Sequence, residues 1–145
     1  MMRNNKTEKP LPSVNEFINN VKKEVRRKDS FTIIEMIQGQ TGLEPEMWDK
    51  HTVSFGKYHY KYRYKDEDEE VRTCFMIAFS PRVSALVLYV ASDFEKRVEL
   101  LGKLGRYEIE KESKDYLHIK NLEDIDLQVL KEIIESHIKL YRKLD

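Results

Sequence analysis

Hydrophobic residues recur at helical spacing near the start of the chain. Ser13 and Glu16 have the spacing of an N-terminal capping box, so we expect ordered structure to begin there. An apolar stripe with a repeat of three to four follows: Val14, Phe17, Ile18, Val21 and Val25. The pattern predicts one helix whose opposite face is basic. That face consists of Lys22, Lys23, Arg26, Arg27 and Lys28.

Three further segments have helical patterns. The segment "DSFTIIEMIQGQTG" is predicted to be a second helix that Asp29 or Ser30 caps and Gly42 ends. The segment "SDFEKRVELLGKLG" begins with another capping-box pair, Ser92 and Glu95, and ends at a glycine. A last helix is predicted at the C-terminal end, and its inner face consists of Leu127, Leu130, Ile134 and Tyr141.

The hydrophobic period changes to two in the middle of the chain. "YHYKYRY" and "VRTCFMIAF" predict strands at 57–64 and 71–79, joined into a hairpin by the acidic run "KDEDEE". "SPR" at 80–82 turns the chain into a third strand, "SALVLYV", and "YLHIK" at 116–120 predicts a fourth; "LEPEMW" is predicted to be a turn. The order α-α-β-β-β-α-β-α predicts an α+β fold, in which helices pack on a four-stranded antiparallel sheet.

Composition narrows the class of protein. A chain of 145 residues is long enough for one domain, predicted at 13–145 after a flexible N-terminal tail at 1–12. The 26 basic residues balance 26 acidic ones, so no net charge favours a nucleic-acid or membrane partner. The single cysteine, Cys74, excludes an internal disulfide. With no apolar run suited to a signal peptide or a membrane span, a cytoplasmic location is expected.

The predicted first strand is dense in aromatic and basic side chains. Alternation puts Tyr58, Tyr60 and Tyr62 on one face and the basic residues, among them His59, on the other. In one interpretation the tyrosines cover helices and the basic side chains meet water. In the other, tyrosine hydroxyls line a pocket, because tyrosine combines an apolar ring with a polar tip. The sequence leaves both open.

The "FSPR" segment places Ser80 and Arg82 at a strand end, where functional loops are common. Trp48 lies in the predicted turn that precedes the first strand. The guanidinium of Arg82 is suited to an anionic ligand and equally suited to a salt bridge with the acidic run.

Catalytic and metal patterns are weak in this sequence. The four histidines lack paired zinc-ligand spacing, and no arrangement of Ser, His and acid or of a phosphate-binding loop is visible. An enzyme is therefore not predicted. The acidic run Asp66–Glu70 offers oxygen ligands for a hard cation, but such hairpin tips are typically solvated.

Four segments resemble the YdhG-like family (domain of unknown function 1801): "TGLEPEMWDKHTVSFGKYHYKY", "FSPRVSALVLYV", "FEKRVELLGKLG" and "YLHIKNLEDIDLQVLKEII". The resemblance runs from about Val14 to Ile138 and implies an α+β fold with an antiparallel sheet. One branch of the family is described as a frataxin-like iron chaperone, which implies iron binding as an alternative. Similar members carry "TGKSCLYI" before the fourth strand; "ESKDYLHI" keeps its lysine here, which implies Lys114 as an additional anion contact.

The leading prediction is a non-enzymatic binding module with a polar-aromatic pocket for a small ligand, with an anion as one candidate. The alternatives are an iron-binding protein and a protein–protein interaction module, present as a monomer or a weak homodimer. No resident cofactor is predicted. The predicted ligand-binding residues are Trp48, Tyr58, His59, Tyr60, Tyr62, Ser80, Arg82 and Lys114.

Overall fold

Helices cover one face of an antiparallel sheet in the computed structural model, which describes residues 11–90, 96–109 and 116–142. The four helices are α1 Val14–Asn19, α2 Glu24–Thr41, α3 Arg97–Leu104 and α4 Leu127–Arg142. The six strands are β1 Pro45–Met47, β2 Val53–Tyr62, β3 Glu70–Pro81, β4 Leu86–Tyr89, β5 Glu108–Ile109 and β6 Tyr116–Ile119. A 3-10 turn, Leu122–Asp124, precedes α4. The predicted α+β class is confirmed.

The sheet has the strand order β1-β2-β3-β4-β6-β5, and every neighbouring pair is antiparallel. The prediction of four strands is wrong in detail, because β1 and β5 add a short strand at each edge. β1 lies in the segment predicted to be a turn. It is three residues long and begins with Pro45, which an edge strand tolerates because its outer side needs no ladder hydrogen bond.

The core lies between the sheet and the helices. Val53, Phe79, Leu88 and Leu117 are successive partners across four strands, and all are buried. Apolar residues from the two long helices pack against this row: Ile33 and Ile37 from α2, and Leu130, Ile133, Ile134 and Ile138 from α4. Leu127, predicted to face inward, is 40% exposed because it is the first residue of α4.

The N-terminal region divides into helices earlier than predicted. α1 begins with the predicted capping box at Ser13, but it ends at Asn19, and Asn20 returns its side-chain amide to the Glu16 carbonyl. α2 then runs from Glu24 to Thr41, and Gly42 caps its C-terminal end with the left-handed φ of +73° expected of a glycine there. Asp29 and Ser30 are therefore inside α2 and do not cap it.

Gly56 changes which face of the sheet the β2–β3 hairpin presents. Its φ is +72°, while the partner register on either side of it is unbroken, from Phe55↔Ile77 to Lys57↔Phe75. Simple alternation would place Lys57 on the helix face with Phe55. Instead, Lys57 contacts Glu46, whose strand partner Ser54 lies on the face away from the helices. The left-handed glycine thus exchanges the two faces without a bulge.

Several predicted features lie outside the described residues. These are residues 1–10 of the predicted tail, the capping-box pair Ser92 and Glu95, and Lys114.

Candidate functional site

An aromatic row runs across the sheet on the face away from the helices. We define it by Trp48, Phe75, Tyr89 and Tyr116, whose ring centroids follow one another at 5.3, 5.8 and 4.8 Å. Trp48 meets Phe75 edge-on, and Tyr89 meets Tyr116 edge-on. All four are partly exposed, so the row presents ring edges and faces to solvent.

A chain of hydroxyl groups lies beside the aromatic row. Thr52 Oγ1 and Ser80 Oγ are 2.9 Å apart, and Ser80 Oγ is 3.1 Å from the hydroxyl of Tyr89. Both Thr52 and Ser80 are buried, whereas Tyr89 reaches the surface. The backbone N–H of Trp48 donates to the Thr52 carbonyl. Thr52 therefore also holds the turn that carries the Trp48 indole.

Arg82 ends this chain at the surface. Its Nη2 donates to the Tyr89 hydroxyl at 3.1 Å, and its backbone N–H donates to the Ala85 carbonyl. Among the residues that the structure describes, no Asp or Glu oxygen lies within 4.0 Å of the guanidinium. The acidic run Asp66–Glu70 lies at the opposite end of β3. Arg82 is exposed. Its guanidinium is therefore hydrated, and it does not need an anionic partner to offset a cost of burial.

A buried guanidinium holds the backbone of the turn that carries Arg82. Arg26, 1% exposed, donates from Nε to the Arg82 carbonyl at 3.0 Å, from Nη2 to the Val83 carbonyl, and from Nη1 to the Lys120 carbonyl. Burial lowers the pKa of Arg26, and the charge of Asp29 opposes that shift. Arg26, predicted to lie on the basic face opposite the apolar stripe, is therefore buried and joins α2 to the ends of β3 and β6.

Tyr58, a predicted site residue, lies on the helix face of the sheet. Its ring centroid is 4.9 Å from that of Tyr141 in α4, and the Tyr141 ring lies tilted against His137 with their centroids 4.7 Å apart. Burial raises the pKa of the Tyr58 hydroxyl, and the neighbouring Tyr141 and Cys74 raise it further. This tyrosine belongs to the packing of α4 and is separated from Arg82 by the sheet.

The remaining residues of the predicted strand also lie apart from Arg82. Tyr60 is 39% exposed, and the Arg72 guanidinium lies 3.7 Å over the Tyr62 ring. His59 is exposed and its Nδ1 is 2.8 Å from the Thr73 hydroxyl. Of the predicted site, the structure thus brings together Trp48, Ser80 and Arg82 and leaves the three tyrosines and His59 on the hairpin.

The residues that complete the aromatic row were missed by sequence reasoning. Tyr89 and Tyr116 are cross-strand partners on β4 and β6, and Phe75 lies on β3. Alternation in "SALVLYV" does separate Tyr89 from the buried Leu88, so a polar-tipped residue on the second face was a usable signal. The pairing of β4 with β6, which brings Tyr116 alongside, is not visible in either segment.

Possible metal ligands are dispersed in the described ranges. No three His, Cys, Asp or Glu side chains there are grouped so that they could hold a metal ion. The hairpin tip is engaged in local contacts instead: Arg63 donates to the Glu67 carbonyl, and Arg72 pairs with Glu70 at 2.7 Å. Separately, none of the described helices combines the length and the apolar character needed to cross a membrane.

Comparison with known proteins adds no relative from which a role could be transferred. A scan against protein-family models finds no match, and neither do searches of curated proteins and of solved structures.

Proposed function

We propose that this protein is a small non-enzymatic binding module. Its ligand is a small anion with a flat or apolar body, held by Arg82 beside Tyr89 of the aromatic row. The observation that carries the proposal is the exposed guanidinium of Arg82, oriented by the Tyr89 hydroxyl and without a carboxylate neighbour among the described residues.

The chemistry of the two parts supports a bipartite ligand. The bond to Tyr89 uses one N–H of Nη2, so the remaining donors of the planar guanidinium are available to a phosphate or carboxylate in a forked arrangement. Phe75, the aromatic neighbour of Tyr89, and Trp48, the next ring beyond Phe75, then offer ring surface for the ligand's body.

The proposal includes two expectations from the sequence. One is the YdhG-like assignment, which rests on the quoted segments; "FSPR" among them supplies Ser80 and Arg82. The other is a cytoplasmic location, which suits a small-molecule binder with a single cysteine.

The test is thermal unfolding with and without anions. Pyrophosphate is expected to raise the melting temperature of the wild-type protein, and a nucleoside monophosphate to raise it further, because binding to the folded state stabilises it. Without anion, Arg82→Ala should melt near the wild-type temperature. With anion, its melting temperature should not rise. Arg106→Ala is the matched control, because Arg106 is also exposed and only its backbone is used in the fold.

Two results would contradict the proposal. If no anion shifts the wild-type melting temperature, the site does not bind this class of ligand. If Arg82→Ala alone lowers the melting temperature and the anion response survives, Arg82 is structural.

A further inference from the structure

The outer edge of β2 has no neighbouring strand along half its length in the part of the chain that the structure describes. β1 pairs with β2 only from Val53 to Phe55. β2 continues to Tyr62, and from Lys57 onward its only described partner is β3 on the inner side. The outer backbone N–H and C=O groups of residues 57–62 are thus available to an added strand.

The two faces of this edge differ in chemistry. Lys57, His59 and Lys61 share one face, and all three are exposed. Tyr58, Tyr60 and Tyr62 share the other. A strand laid along the edge would place its alternate side chains against basic groups on one side and against tyrosine rings on the other.

β1 already shows this arrangement on the neighbouring stretch of the same edge. The Glu46 carboxylate lies 3.5 Å from Lys57 Nζ, on the face away from the helices. Pro45 and Met47, on either side of Glu46, are half-buried, and Met47 packs against the core. An acidic residue flanked by apolar ones is therefore the pattern that this edge accepts from its own chain.

We propose that residues 57–62 of β2 bind an extended segment of a partner protein in which acidic and apolar residues alternate. The segment adds a strand next to β2, its carboxylates facing Lys57, His59 and Lys61. This surface is separate from the proposed anion site at Arg82, so a test of one proposal does not decide the other.

Charge decides which partner is accepted. Lysine on an edge strand commonly prevents pairing with other strands, including a second copy of the same strand. Two β2 edges placed side by side would oppose their basic rows, which disfavours a homodimer through this edge. An acidic segment turns the same row from repulsive to attractive, as the Lys57–Glu46 pair does within the chain.

The experiment uses the full chain and a fluorescein-labelled peptide of alternating Glu and Val. Fluorescence anisotropy measures affinity, and hydrogen exchange with mass spectrometry maps protection. We expect salt-sensitive binding that protects residues 57–62. The His59→Glu, Lys61→Glu double variant should weaken it by about tenfold or more, because the change at Lys61 turns attraction into repulsion and the change at His59 adds a second negative charge. Lys131→Glu is the control, since that exposed lysine contributes only its backbone carbonyl to a contact.

Peptide chemistry separates strand addition from plain charge attraction. A version with N-methylated backbone amides keeps the carboxylates but cannot donate ladder hydrogen bonds, so it should bind much more weakly. Equal binding of the methylated peptide, equal binding of an alternating Lys and Val peptide, or protection outside 57–62 would overturn the proposal. A concentration-dependent dimer protected at the same residues would overturn it as well.

Discussion

Thr52 and Ser80 share a buried hydrogen bond, with their hydroxyl oxygens 2.9 Å apart. The Thr52 carbonyl also accepts from the backbone of Trp48, and the Ser80 hydroxyl also contacts that of Tyr89. One pair of small side chains therefore connects both ends of the proposed site. A substitution at Ser80 should therefore alter the surroundings of Trp48 more than the packing of the hydrophobic core.

Ser80→Ala is expected to lower the free energy of unfolding by about 1–2 kcal/mol, because it leaves the buried Thr52 hydroxyl without its partner. Trp48 fluorescence should shift in the folded protein. Ser54→Ala is a suitable control: Ser54 is equally buried, but its hydroxyl makes only a long bond of 3.4 Å to the Glu46 carbonyl. If urea unfolding gives the same loss of free energy of unfolding for Ser80→Ala and Ser54→Ala, the hydrogen bond between Ser80 and Thr52 does not contribute more than that of Ser54.

Arg26→Met should be strongly destabilising, by about 3 kcal/mol or more, because three carbonyl groups lose a buried donor together. Arg26→Lys should recover only part of the loss, since an ammonium cannot reach three acceptors in the plane of a guanidinium. Arg27→Met provides the comparison, because Arg27 is half-buried and donates to one carbonyl, that of Val21. If both Met variants lose similar free energy of unfolding, the assignment of Arg26 as the residue that holds these three carbonyl groups is wrong.

Gly56→Ala and Gly42→Ala form a matched pair, since their φ angles are +72° and +73°. Both should lose about 1 kcal/mol for the left-handed backbone. Gly56→Ala should lose more, because the added Cβ would lie 3.0 Å from Leu43 Cδ1 and 3.2 Å from Met76 Cβ, whereas space is open at Gly42. Chemical denaturation measures both, and a smaller loss at Gly56 would contradict the prediction.

We expect the free energy of unfolding to fall at alkaline pH because of the Tyr58 hydroxyl. Its pKa is raised in the folded protein by burial and by Tyr141 and Cys74. In the unfolded chain a tyrosine ionises near pH 10, about its usual value. Above that pH the unfolded state releases a proton that the folded state retains, so the free energy of unfolding falls as pH rises. Tyr58→Phe should flatten this decline in the free energy of unfolding, measured by urea unfolding at a series of alkaline pH values; an unchanged slope in Tyr58→Phe would contradict the assignment.

Iron is expected to bind only at the weak level of an exposed carboxylate cluster. The acidic run Asp66–Glu70 is exposed, and among the described residues no three His, Cys, Asp or Glu side chains are grouped so that they could hold a metal ion. Isothermal titration with ferrous ion under anaerobic conditions checks this. Stoichiometric micromolar binding that disappears when the run is neutralised would instead favour the iron-chaperone alternative.

The sequence predicted the parts of the fold that depend on local periodicity. The β2–β3 hairpin, the apolar β4 and the Ser13 capping box follow from side-chain alternation and residue chemistry. The exchange of faces at Gly56 could not be predicted. A glycine is compatible with a bulge, an ordinary strand position or a left-handed conformation, and its residue type alone does not select the φ of +72° that the structure has.

The candidate site was predictable only in part for a related reason. Trp48, Ser80 and Arg82 lie at strand ends, where residue type alone suggests a role. Arg26 was predicted only as one of several basic residues on a helix face, yet carbonyls from two distant turns converge on it. Strand pairing brings Tyr89 and Tyr116 together, and pairing between β4 and β6 is a property of the whole sheet.

The position of Arg26 constrains the order in which the chain can fold. Its acceptors lie 56, 57 and 94 residues further along the chain. Before β4 and β6 pair, burying the guanidinium would strip it of water with nothing in return, which is strongly unfavourable. The β2–β3 hairpin needs only local contacts and can form early, whereas closing the long loops to Arg82 and Lys120 is slow. The first turn of α2 should therefore be among the last backbone segments to gain protection during refolding.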